Sequence, residues 1–250
     1  MKNITLWIPA DTQPNWNVIT PCWNLKTPGN KRLRLIPGRA ISINIRQSWN
    51  NSIKYFLDET TDEWIFSVHN DVVVDPETLM RLLSWNKPLI SALIFMRAGP
   101  ALPHIWKQYD NSDGRMVMRI NDTRAFLYKH PEYMANFTSF VMHPKPKDAL
   151  VEIDFTSTSC TLIHRSVLEA MRPLVKDIWF EWDDDTNGGG EDRRFFINAK
   201  QSGFQAYVDR SCVVGHLRPN VVTSVADFVA WDSVSVYQGT GEVIEKANGA

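Results

Sequence analysis

Two apolar runs, "EWIFSV" (Glu63 to Val68) and "KPLISALIF" (Lys87 to Phe95), bracket a segment with a full set of helix-start signals. Asp75 fits the N-cap, Pro76 the first helical position and Glu77 the first turn, while Leu79, Leu82 and Leu83 form the buried stripe. An almost wholly apolar run is what a strand covered on both faces requires. Strand, helix and strand in that order argue for parallel strands joined by a crossover helix. The same rhythm begins earlier. "ITLWIPAD" reads as a first strand ending near Pro9, and "KRLRLIPG" (Lys31 to Gly38) as a second, with a short helix and loop mixed between them. From Ile45 to Leu57 the apolar residues Ile45, Trp49, Ile53, Phe56 and Leu57 recur at helical spacing. The expected class is α/β, with a mostly parallel central sheet flanked by helices.

The rhythm breaks over residues 96–148, which hold Pro100, Pro103, Pro131, Pro144 and Pro146. A hairpin is expected around "YDNSDGRMVMRI", with Asp113-Gly114 at its turn. An irregular stretch of this length inside a compact domain is usually a functional loop or small subdomain. Regular core then resumes with "ALVEIDF", "CTLIHRSVLEAM" and "KDIWFEW", followed by a helix from Glu191 with Gly203 as its cap. "FQAYVD" and "SCVVGH" read as strand-like, and the chain from Leu217 as a tail wrapping the domain.

The 250 residues suffice for one large α/β domain. With 27 basic and 28 acidic side chains the net charge is −1, which supplies no long-range attraction to nucleic acid or an anionic membrane. No apolar stretch approaches the roughly 18 residues of a transmembrane span, and the opening residues lack a signal-peptide pattern. Cys22, Cys160 and Cys212 are widely spaced and form no CxxC pair, so a reducing, cytoplasmic setting is expected.

Three segments carry candidate chemistry. His69-Asn70-Asp71 stands where the "EWIFSV" strand ends, and ligands of open parallel sheets bind outside the carboxyl ends of the strands. A carboxylate there suits a hard divalent cation that grips a diphosphate, although Asp71 also fits a turn cap. Glu191 and Asp192 follow three glycines at a helix start, where acids are often simple dipole partners but glycines let a backbone approach a ligand. Gly215-His216 ends an apolar strand and offers a nitrogen to share a metal with Asp71.

Together these segments resemble family-2-like glycosyltransferases of the glycosyltransferase A fold. "IFSVHNDVVVDPETLMRLL" is similar to that family's strand carrying the metal-binding DxD motif and the helix after it. "STSCTLIHRSVLEAM" echoes its "GTGCMLIRREVLE", "GEDRRFFINAKQSGF" its "GEDxxFxxRAxxxGF" helix, and Val214-Gly215-His216 its "VGH" strand end. One departure is plain: the first Asp of DxD is His69 here.

The resemblance implies a Rossmann-like glycosyltransferase A catalytic domain over residues 1–217, with an insertion at 96–148 as acceptor region and an extension at 218–250. It implies transfer of a sugar from a nucleotide-sugar, a UDP- or GDP-sugar foremost, to an acceptor hydroxyl, with inversion favoured over retention. Asp71 and His216 are then the ligands of Mn²⁺ or Mg²⁺. Asp192 is the base, supported by Glu191. Pro9, Ala10, Asp11, Arg46, Asn50, His69, Asn70, Gly189 and Gly190 line the donor site, with Asp11 reading equally as a helix N-cap. Arg39 is a further candidate for phosphate contact. The competing reading is a catalytically degenerate nucleotide- or carbohydrate-binding module of the same fold.

Overall fold

The structure, a computed structural model, describes residues 3–10, 16–29, 32–39, 44–97, 101–108, 116–118, 120–133, 143–182, 190–217, 222–223, 235–237 and 243–245. Its first half follows the sequence rhythm: β1 (Ile4–Ala10), α1 (Trp16–Trp23), β2 (Leu33–Arg39), α2 (Ile45–Glu59), β3 (Trp64–Val68), β4 (Val72–Val73), α3 (Thr78–Leu83) and β5 (Leu89–Leu93). The insertion contributes β6 (Trp106–Gln108), β7 (Met116–Met118) and α4 (Ile120–Lys129). The remainder gives β8 (Leu150–Ile153), β9 (Cys160–His164), α5 (Arg165–Val175), α6 (Glu191–Gln201), β10 (Ala206–Val213), β11 (Gly215–Leu217), β12 (Val222–Thr223), β13 (Ser235–Tyr237) and β14 (Val243–Glu245).

A seven-stranded sheet in the order β2-β1-β3-β9-β5-β10-β8 forms the centre. Strands β2, β1, β3, β5 and β10 run in one direction, while β9 and β8 oppose them. The sheet is therefore mixed but mostly parallel. Strand β9 wedges antiparallel between β3 and β5, which reading the strands in succession does not reveal. Side chains alternate across the sheet as the strand period demands. Trp7, Ile65, Leu89, Leu93 and Ile163 pack on one face against α2, α5 and α6. Leu6, Phe66, Ile90 and Leu162 pack on the other, against α1 and α3.

Several expectations shift. Helix α3 begins at Thr78 rather than at Pro76, because Asp75 closes a turn first: its carboxylate accepts from the Glu77 amide at 2.7 Å. "KDIWFEW" forms neither strand nor helix; Trp179 and Phe180 fill the core from an irregular segment. "FQAYVD" and the start of "SCVVGH" are one continuous strand, β10, whose pairing with β5 breaks register between Asp209 and Val213. The break is occupied by polar side chains. Asp209 is buried, accepts from the Trp85 indole at 2.7 Å and pairs with Arg81 at 3.4 Å. In the insertion β6 pairs with β7 as an antiparallel hairpin, and α4 is a helix the sequence reading did not place. Asp113-Gly114 lies outside the described residues. Past Leu217, β12 pairs with β11 and β13 with β14.

Candidate functional site

One edge of the sheet collects the candidate residues. The parallel strands β1, β3 and β5 end there, and β9 begins there, since Cys160 pairs with Val68. Just past β3 the chain turns tightly, closed by the Val72 amide donating to the His69 carbonyl at 2.9 Å. It then enters β4, whose Val72 and Val73 pair with His216 and Gly215 of β11. This short ladder brings Asp71 to His216. The Leu217 amide donates to the Asp71 carbonyl at 2.7 Å, and the His216 Nε2 lies 3.4 Å from Asp71 Oδ2.

The His216 ring is oriented from behind. Its Nδ1 sits 2.8 Å from the Phe95 carbonyl. A carbonyl only accepts, so Nδ1 carries the proton; Nε2 donates to the carboxylate when it too is protonated and presents a lone pair when it is not. A carboxylate oxygen facing an imidazole lone pair is a donor set for a divalent cation, with the other ring nitrogen fixed by a main-chain acceptor. Burial works against ionisation of Asp71. The His216 hydrogen bond and the charges of His216, His69 and Arg97 outweigh it and hold the carboxyl below its usual range. Arg97, four residues past β5, donates from Nη1 to the same Asp71 oxygen at 3.0 Å. Among the described residues no three His, Cys, Asp or Glu side chains group as a metal site. Two protein ligands remain a fitting set where phosphate oxygens and water complete the shell, as Mg²⁺ sites commonly arrange.

His69 does not join that pair. Its amide donates to the Ser159 carbonyl at 2.8 Å, its Nδ1 lies 3.3 Å from the Ser159 hydroxyl, and its ring meets Trp7 edge-on at 5.8 Å. Its Nε2 is enclosed with no hydrogen-bond partner among the described residues. Burial pushes the imidazole down to about 4; Asp71 opposes the shift and His216 adds to it. The ring is thus neutral near pH 7. Asn70 occupies the turn, partly buried.

Asp192 stands in the first turn of α6, and Gly190 is the N-cap of that helix. The Thr158 hydroxyl donates to its Oδ1. Burial and then the negative charge of Glu191 push the Asp192 carboxyl up to about 7, against the hydrogen bonds of Thr158 and Ser157. A carboxylate balanced near neutrality is suited to exchange a proton at ordinary pH. Thr158 and Ser159 are consecutive, so one loop ties Asp192 to His69. The hydroxyls of Ser157, Thr158 and Ser159 are residues that sequence reasoning missed as site members. The run of four hydroxyl residues from Thr156 to Ser159, directly before an apolar strand, was the available signal. Arg97 was missed too, although it is the first charge after the apolar run of β5.

Of the other candidates, Asn50 is engaged by the scaffold. Asn50 spends its amide on the main chain of Phe180, donating to the carbonyl and accepting from the N–H, each at 2.9 Å. Phe180 is thereby held in a column of rings, stacked on Trp49 at 4.6 Å and on Phe195 at 4.6 Å. Two residues on, Trp182 is 52% exposed, with the Arg46 guanidinium 5.9 Å from its ring centre. Pro9 and Ala10 end β1 opposite Gly38 and Arg39, and Pro9 is buried. Asp11 and Gly189 lie outside the described residues.

No protein-family model matches the chain, and no curated protein matches it. Among solved structures it is similar to A197 from STIV, with a TM-score of 0.50 and 10% identity over 99% of this chain and 95% of that one. At that identity the likeness concerns the fold alone. None of the described helices is long and apolar enough to cross a membrane.

Proposed function

We propose that the protein is a glycosyltransferase of the glycosyltransferase A type, moving a sugar from a nucleotide-sugar to an acceptor hydroxyl with a divalent cation, Mn²⁺ or Mg²⁺, at Asp71 and His216. The observation that carries this reading is the meeting of Asp71 and His216, 3.4 Å apart, at the strand edge where Asp192 is also tethered. When bound, the cation supplies Lewis-acid stabilisation of the charge that builds on the leaving diphosphate. Asp71 and His216 orient it. Asp192, ionised above about pH 7, takes the proton of the acceptor hydroxyl as its oxygen bonds to the sugar carbon and the diphosphate departs with the electron pair. Inversion of configuration is the outcome this arrangement favours. Glu191 acts through its charge, which raises the proton affinity of Asp192. The Trp49–Phe180–Phe195 column fixes the approach to α6.

A second reading is favoured by one observation. His69 replaces the first acid of the motif and directs its nitrogens to Ser159 and into the protein. A degenerate nucleotide-binding module would tolerate this loss. A thermal-shift panel of UDP, GDP, CDP, ADP and dTDP with Mn²⁺, Mg²⁺ or EDTA tests the proposal, since a ligand of the folded state raises the melting temperature. Metal-dependent stabilisation by one nucleotide, followed by sugar transfer from the matching donor, is the expected result. Stabilisation without turnover supports a nucleotide-binding module, and no stabilisation by any nucleotide overturns the transferase reading and leaves a degenerate carbohydrate-binding module.

A further inference from the structure

We propose that Arg97 is a phosphate-binding residue held in reserve on Asp71, exchanging that carboxylate for the ligand's diphosphate when Asp71 takes up a divalent cation. The inference rests on the nucleotide-binding reading of this edge and adds a residue to it.

The geometry is a competition for one atom. Arg97 Nη1 and His216 Nε2 both address Asp71 Oδ2, at 3.0 and 3.4 Å. A cation held between Asp71 and His216 draws on that same oxygen and repels the guanidinium beside it, so its charge competes with Arg97 for Asp71. His216 is not free to withdraw. It is locked in the β4–β11 ladder, and its Nδ1 is bound to the Phe95 carbonyl. Arg97 is the more exposed partner: its side chain is 56% exposed and follows Met96, the last residue of this segment with a main-chain hydrogen bond to Leu102. An ion pair this exposed is weakly held, because water screens it and ordering a long side chain opposes it.

Released, the guanidinium stays at the same strand edge. Its planar fork matches two phosphate oxygens at once. The cation and Arg97 would then meet the diphosphate from two sides, with Asp71 acting as the resting place of one and the ligand of the other. Arg97 is unlike Arg165, whose guanidinium is spent on main-chain carbonyls.

This exchange has a signature that a merely structural arginine lacks: opposite effects on the two ligands. In Arg97→Ala the full-length chain should bind Mn²⁺ alone more tightly than wild type, by a few-fold, because its competitor is gone. At saturating Mn²⁺ the same variant should bind the preferred nucleoside diphosphate about 10-fold more weakly, and Arg97→Lys should recover part of that loss. Mn²⁺ binding followed by electron paramagnetic resonance, then calorimetric titration of the five nucleoside diphosphates, reads both numbers. Circular dichroism melts check that the variants fold. Unchanged or weakened Mn²⁺ affinity in Arg97→Ala overturns the reserve role. Tightened Mn²⁺ with unchanged nucleotide affinity overturns the phosphate contact. Wild-type protein that binds neither Mn²⁺ nor any nucleotide overturns the underlying reading of the site, and the inference with it.

Discussion

Thr158 and Asp192, 34 residues apart in the chain, are joined by a side-chain hydrogen bond between the loop before β9 and the first turn of α6. The hydroxyl donates, so it stabilises the carboxylate against burial and against Glu191. Its loss therefore has a definite sign. In Thr158→Val the Asp192 proton should be held more tightly, and the acid limb of the pH–rate profile should move to higher pH than the wild-type limb near 7. An unmoved limb would assign the titration to another group.

Removing the proposed base separates chemistry from binding. Asp192→Asn should cut turnover by roughly 10²-fold or more while leaving nucleotide affinity nearly intact. Steady-state kinetics beside calorimetry makes the comparison. Weakened binding with full turnover would refute the assignment.

Asp192 also links stability to pH. Its folded-state value, about 7, lies above the ordinary 3.8, so the folded chain holds a proton that the unfolded chain releases between those values. That contribution is fully present below about pH 4, declines as pH rises and is gone above about 7, a span worth on the order of 4 kcal/mol. Asp192→Asn should flatten the decline and be the more stable protein at pH 8. Urea melts at pH 4, 6 and 8 read this directly.

Asp71→Ala should abolish metal-enhanced nucleotide binding. His216→Ala should weaken it while leaving the Asp71–Arg97 pair in place. A variant of Asp71 whose nucleotide affinity still rises with Mn²⁺ would put the cation elsewhere.

Arg165 offers a test of the scaffold alone. Its guanidinium donates to the carbonyls of Phe56, Leu57, Thr60 and Asp62 and lies 4.4 Å from the Phe56 ring centre, closing the carboxyl end of α2. Arg165→Ala should cost about 3 kcal/mol, because several partly buried acceptors lose a charged donor together. Denaturant unfolding measures it. Nucleotide affinity of the folded fraction should be unchanged.

The parallel half of the fold was legible because β1, β3 and β5 are each apolar runs closed by turn residues, and α2 shows its period plainly. Strand β9 was legible as a strand but not as an antiparallel one, since hydrophobic pattern records burial and not direction. Strand β10 was legible only as two strand-like pieces, because the polar run Asp209, Arg210 and Ser211 hides their continuity: Trp85 and Arg81 satisfy Asp209 and Ser211, and Arg210 donates to the Asp122 and Asp148 carbonyls. At the site, Asp71, His216 and Asp192 were readable as acids and imidazole at element ends. Asn50 was misleading: the same amide that suits a ligand suits the main chain of Phe180, and sequence does not distinguish the two. Arg97 was silent because its meaning depends on where Asp71 points.

The β4–β11 ladder joins residues about 140 positions apart, and β4 is only two residues long. So short a pairing cannot form on its own; the loop it closes costs entropy that the rest of the domain must already have offset. The cation affinity proposed for Asp71 and His216 therefore requires that β11 has formed. A nascent or truncated protein that stops before β11 holds Asp71 and Asp192 but lacks His216, so bound Mn²⁺ would report that synthesis and folding have both run through the last strand of the edge.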